Sequence, residues 1–268
     1  MYEKELWDAA TEGDVRLVEE IITKAEDNID INWRDSELKR TTFYRACGHG
    51  RKEVVEYLLT LPNIQVNLPT TEDFTPFSIA AQEGHVEVIK VLLKDSRVDG
   101  NRATTKGVTP FYLACQNGHI EVVKTLLKDD RIEINRGNKN DATPLFIASQ
   151  DGRLDVVKVL LASGKVIDTE VKWRIENRTA LDQAIFCSKK TVKWSWENQE
   201  DVERQIQNCA SIAALLESYN KNRTDTVLRL QKELGILTKR ASKIFSLVVL
   251  CCDNYYLLEG VNEALVQS

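Results

Sequence analysis

Apolar residues at Val122, Val123, Leu126 and Leu127 form one stripe at helical spacing, the pattern of a helix that buries a single face. A shorter helix is predicted just before it. Thr109 can cap its start, and Pro110 at the first helical position forfeits no helical hydrogen bond. Ala114 and Cys115 form a small pair that allows another helix close approach, and Gly118 is placed to end the element. After the second helix come a charged step and a short extended piece, Arg131-Ile132-Glu133-Ile134-Asn135. The predicted unit is therefore helix, turn, helix, then a loop or hairpin.

This unit recurs. Thr-Pro occurs at Thr75–Pro76, Thr109–Pro110 and Thr143–Pro144, with a period of 34 residues. Degenerate copies lie at Thr41–Thr42, one period earlier, and at Thr179–Ala180, 36 residues later. The aligned lines are TTFYRACGHGRKEVVEYLL, TPFSIAAQEGHVEVIKVLL, TPFYLACQNGHIEVVKTLL and TPLFIASQDGRLDVVKVLL, preceded by a divergent LWDAATEGDVRLVEEII. A fixed period in this range is the signature of a solenoid. A single unit buries too little apolar surface to offset the entropy of ordering it, so it needs neighbours.

These lines resemble the ankyrin-repeat family, whose consensus runs approximately TPLHxAAxxGHxxVVxLL, over about residues 3–218. The resemblance implies an all-α solenoid of helix-turn-helix units with projecting loops or hairpins. Its expected units are 1–35, 36–69, 70–103, 104–137, 138–172 and 173–220, within an interaction domain of residues 1–220. It also implies binding of another protein through a concave face and finger loops rather than catalysis, with no cofactor. Two departures stand out. Tyr44, Ser78, Tyr112 and Phe146 replace the family's histidine, and KDSR and KDDR replace the glycine after the second helix.

The resemblance places candidate contacts on the short helices at Gln82, Glu83, Gln116, Asn117, Gln150 and Asp151. Ile79, Leu113 and Ile147, one turn earlier, would form an apolar floor or pack between units. The finger tips carry Trp33, Arg34, Phe74, Arg102, Lys106, Arg136, Lys139, Trp173 and Arg174. Exposed tryptophan and arginine are enriched in binding hot spots. Trp33 equally suits a packing role over its hairpin, and both readings stay open.

The sixth unit begins TALDQAIFCSKK, with its second helix expected over Gln205–Ser218 after an insertion at 188–204 that holds Trp194 and Trp196. That pair suits either a contact or cover for the end of the stack. Residues 221–268 leave the repeat. Thr224 can start a helix stopped by Gly235, and Thr238 another holding IFSLVVLCC. A solenoid needs its terminal faces covered, so a small helical cap is expected. Dimerisation or association with a membrane surface through this tail are the other options, and the chain is otherwise expected to be monomeric.

Composition narrows the chemistry. The net charge is −5, of which residues 1–30 carry −7, so nothing draws the whole chain to nucleic acid. An anionic ligand gripped by the finger arginines and lysines is the alternative to a protein partner; a targeting role within a larger enzyme or effector is another. Six cysteines show no CxxC, and MYEKELWDAA lacks the features of a signal peptide, so a cytoplasmic or nuclear location with free thiols is expected. The apolar run Ile244–Cys252 is too short to span a membrane. Cys115 and His119, four apart, invite a nucleophile–base or metal reading. Equivalent positions in the other units hold Cys47 and Arg51, Ala81 and His85, then Ser149 and Arg153. A packing role is therefore expected.

Overall fold

A computed structural model describes residues 2–25, 28–189 and 199–236, with thirteen helices and no strand longer than an isolated bridge among them. Threonine fixes where each short helix begins. Thr41, Thr75, Thr109, Thr143 and Thr179 are extended N-caps whose hydroxyls accept from the backbone N–H three residues on, satisfying a donor that the helix cannot. The helices come in pairs: α1 (Tyr2–Glu12) with α2 (Val15–Ala25), α3 (Thr42–Gly48) with α4 (Lys52–Thr60), and α5 (Pro76–Gln82) with α6 (Val86–Leu92). Three further pairs are α7 (Pro110–Asn117) with α8 (Ile120–Leu126), α9 (Pro144–Gln150) with α10 (Leu154–Ala162), and α11 (Ala180–Ser188) with α12 (Gln199–Lys221). First helices pack in one row and second helices in another, and α13 (Arg223–Glu233) lies against α10 and α12.

Burial follows the stacking. Phe43, Phe77, Phe111 and Leu145 occupy one slot of successive first helices and are all buried. Leu181 fills that slot in α11 but is only partly buried, as the last first helix of the row. The second helices contribute Val55, Ile89, Val123 and Val157 to the same continuous core.

Polar ties set the distance between units. Asn101 donates its side-chain amide to the Arg131 carbonyl (2.7 Å) and accepts from the Glu133 N–H (2.9 Å). Asn32, Asn67 and Asn135 make the same double bridge to the unit that follows each. A second ladder runs from the start of each second helix: His85 to the Gly48 carbonyl (3.0 Å), His119 to that of Gln82 (2.7 Å), and Arg153 to that of Gln116 (2.9 Å). Gly84, at φ +80°, lies under this ladder, and a Cβ there would sit 2.5 Å from the His119 ring.

The missing glycine after the second helix is replaced by a clamp. Arg131 grips Asp129 through both carboxylate oxygens (3.0 and 2.6 Å) and reaches the Leu93 carbonyl (2.7 Å). Arg97 does the same with Asp95 and the Leu59 carbonyl. Each guanidinium thus supplies a donor, and positive charge, near the C-terminal end of the preceding unit's second helix, where carbonyls lack partners.

The fingers are tight turns at 35–40, 70–74, 104–108, 138–142 and 173–178. Thr104 N–H donates to Val108 O in one (3.0 Å) and Thr70 N–H to Phe74 O in another (2.8 Å). Each finger has one left-handed residue in the same slot: Lys39, Asp73, Gly107, Asp141 and Asn177, with φ from 54° to 79°. Adjacent tips are joined by backbone bonds, Thr71 N–H to Leu38 O, Thr105 to Glu72, Lys139 to Lys106, and Arg174 to Asn140.

Two expectations shift at the C-terminal end. The second helix of the sixth unit begins at Gln199, not near Gln205, with Glu200 and Asp201 in its first turn, where acidic side chains favour the helix dipole. The following helix starts at Arg223, because the side chain of Asn222 rather than Thr224 accepts the capping bond, from Asp225 N–H. Trp194, Trp196 and residues 237–268 lie outside the described residues. Among those described, no helix is long and apolar enough to cross a membrane.

Replacing Asn101 with Ala removes one donor and one acceptor between units. It should cost about 1–2 kcal/mol in urea unfolding, whereas Thr105→Ala should cost little. The Arg131 and Arg97 hydrogen bonds hold the Asp129 and Asp95 carboxyls below their ordinary range. A depressed folded-state pKa contributes stability that is complete above the unfolded value of about 4 and fades as pH falls towards the folded one. The double variant Asp95→Asn, Asp129→Asn should therefore lose stability at neutral pH and show a shallower decline on acidification below about pH 5; unfolding midpoints across pH check both.

Candidate functional site: the angle between fingers and first helices

The tip-to-tip bonds and the row of first helices enclose a groove of about 620 Å³. Its finger side is formed by Glu72, Phe74, Lys106, Val108, Lys139 and Asn140, and its helix side by Gln82, Tyr112, Leu113 and Gln116. A smaller hollow of about 210 Å³ shares Glu72, Phe74 and Gln82 and extends towards Leu38, Tyr44 and Ile79. Together they make one path across fingers one to four. Leu38 stands 43% exposed at its end.

Five of the residues expected to bind a partner line the larger groove: Phe74, Gln82, Lys106, Gln116 and Lys139. The remainder are divided among other tasks. Trp33 packs edge-on against Trp7 with ring centroids 5.9 Å apart, and the Arg40 and Arg45 guanidinium groups lie 5.4 Å from the same Trp7 ring. Trp173 packs on Phe146 at 5.4 Å. Both tryptophans are half-buried, so a contact role for them shares the side chain with packing. Arg34 bonds the Pro69 carbonyl, Arg102 that of Asn67 (3.4 Å), and Arg136 that of Asn101 (3.4 Å) while pairing with Glu133 (3.1 Å). Arg174 pairs with Asp141 at 2.7 Å. These arginines join one unit to the next, Arg174 finger to finger and the others at the finger bases.

On the helix side, Gln82 donates to the exposed Glu83 (3.0 Å) and Asn117 to the Leu113 carbonyl of its own helix (2.9 Å). Gln150 accepts from Gln183 (3.3 Å) and lies within 3.5 Å of Asp151. Of the residues in the family's histidine slot, Tyr112 lines the groove and Tyr44 the smaller hollow. Ser78 is buried in a capping box with Thr75. Burial pushes the Tyr112 hydroxyl up to about 12, reinforced by Asp151 and opposed by a hydrogen bond with Asn138. Burial raises Tyr44 to about 12 as well, so both phenols stay protonated.

Val108, Glu72 and Asn140 were not among the expected contacts. The repeat register carries the signal for them: Val108 lies one period after Phe74, and Glu72, Lys106 and Asn140 share a slot.

The Cys115–His119 question is settled by position. Cys115 is 0% exposed, and burial pushes its thiol well up, away from the nucleophilic thiolate. Gly118 caps α7 between the two residues in the left-handed conformation. His119 belongs to the ladder that grips the preceding unit.

A family model for ankyrin repeats, in three copies, matches residues 6–103 and again 96–172. The chain belongs to the ankyrin-repeat family. No curated protein matches it. Ankyrin repeats are in general protein-interaction modules and typically non-catalytic, and the groove lies in the angle of this ankyrin stack where two kinds of element offer side chains together. Cys115→Ala should leave both helicity and partner capture within error of the parent, by circular dichroism and pull-down. His119→Ala, which breaks a unit-to-unit bond, should lower the unfolding midpoint.

Proposed function

We propose that this protein is a non-catalytic interaction module that holds a partner protein in the groove between its fingers and first helices. The supporting observation is the convergence of Phe74 from a finger with Gln82 and Gln116 from two successive first helices on one path. The surface combines apolar side chains with amides and a few charged groups, which suits a peptide chain with its alternating side chains and backbone groups. The arginines in and beside the fingers, spent on neighbouring units, argue against a grip on nucleic acid or another polyanion.

The same reading takes the chain as a cytoplasmic monomer. Its repeats occupy residues 1–220, and the cap read for the end of the stack begins with α13, which packs against α10 and α12. Rigidity carries the recognition, because the groove walls are fixed by bonds between units before any partner arrives.

Phe74→Ala and Gln116→Ala should each weaken capture of a native partner by about tenfold without altering the far-UV spectrum. Lys128→Ala, on the second-helix side, should leave capture unchanged. Equal loss in all three would move the site away from the groove.

A further inference from the structure

We infer that the partner presents an extended segment with one acidic side chain next to an apolar one, seated at the Lys106–Lys139 end of the groove. This rests on the groove being the docking surface. Lys106 and Lys139 stand at adjacent tips, their backbones joined by a 3.1 Å hydrogen bond, and both are exposed. Among the described residues neither makes an ion pair, whereas the arginines of the fingers are tied to carbonyls or carboxylates. Two unneutralised ammonium groups side by side repel, and an incoming carboxylate relieves that repulsion.

The apolar half of the segment has its place beside them. Phe74 and Val108 are half-buried on the finger side, and Leu113 forms part of the facing wall. Gln116, whose side-chain amide has no hydrogen-bond partner among the described residues, can bond to an extended backbone. Glu72 limits the charge of the occupant. It lines the same groove, exposed and without an ion pair among the described residues, and repels a second acidic group placed towards finger two. The fit is to a single carboxylate with an apolar neighbour, not to a polyanion. The hollow on the second-helix side is more mixed: Lys52 pairs with Glu56 (3.6 Å) and Lys90 with Glu87 (2.6 Å), while Lys94 and Lys128, without an ion pair among the described residues, share it with Asp129 and Asp130.

The test is selection of a random-peptide library on the full-length chain, with binding of the selected peptides measured by fluorescence anisotropy. Selected peptides should share an Asp or Glu beside an apolar residue, and should lose about tenfold in affinity for the double variant Lys106→Glu, Lys139→Glu. Selection on that variant should enrich Lys or Arg at the same position. Circular dichroism checks that it folds, as expected for two exposed side chains. Peptides that lose affinity with Phe74→Ala yet show no preference for an acid would overturn this inference and leave the groove as the docking surface. Peptides insensitive to Phe74→Ala and Gln116→Ala would overturn the groove itself.

Discussion

The apolar face of each unit is closed by its neighbours, and the rest of the structure follows from that dependence. Phe43, Phe77, Phe111 and Leu145 are buried where the stack continues, while Leu181 at the end of the row is only partly so. Hydrophobic burial alone would leave units free to slide over one another. The asparagine bridges and the histidine–arginine ladder remove that freedom, because each joins a side chain to one particular carbonyl of the adjacent unit. Register is fixed by directional bonds, and stability by area.

A groove built this way is a product of stacking rather than of any one repeat. Its walls come from fingers two to four and from α5 and α7, and no single unit contains it. The division of labour among basic side chains follows the same logic. Arginine, with several donors in a fixed plane, suits bridging between units. Lysine, a single charge on a flexible stem, is left at Lys106 and Lys139 facing the groove.

Much of the fold was legible in the sequence because the signals recur in register. The threonine caps, the proline after three of them and the second-helix stripe each repeat at 34 residues, and the helices lie where they point. What escaped involves partners distant in sequence or a slot filled by unlike residues. Asn101 looks like an ordinary exposed loop residue until the Arg131 carbonyl is beside it. The left-handed finger slot holds lysine, aspartate, asparagine and only one glycine, so residue type conceals it. The start of α12 was misplaced because the sixth unit breaks the period on which the alignment depends. Of the candidate site, the family resemblance pointed to Phe74 on a finger and to Gln82 and Gln116 on the short helices. It could not separate the arginines consumed by neighbouring units from the lysines left available, since that depends on geometry between units.

The central claim is that a partner protein lies along the angle between fingers and first helices. Site-specific photo-crosslinking tests it most directly, with the photoreactive residue at position 116 inside the groove or at position 128 on the second-helix side. The account predicts a cross-linked partner peptide from position 116 and none from position 128. Cross-links from position 128 alone would contradict it.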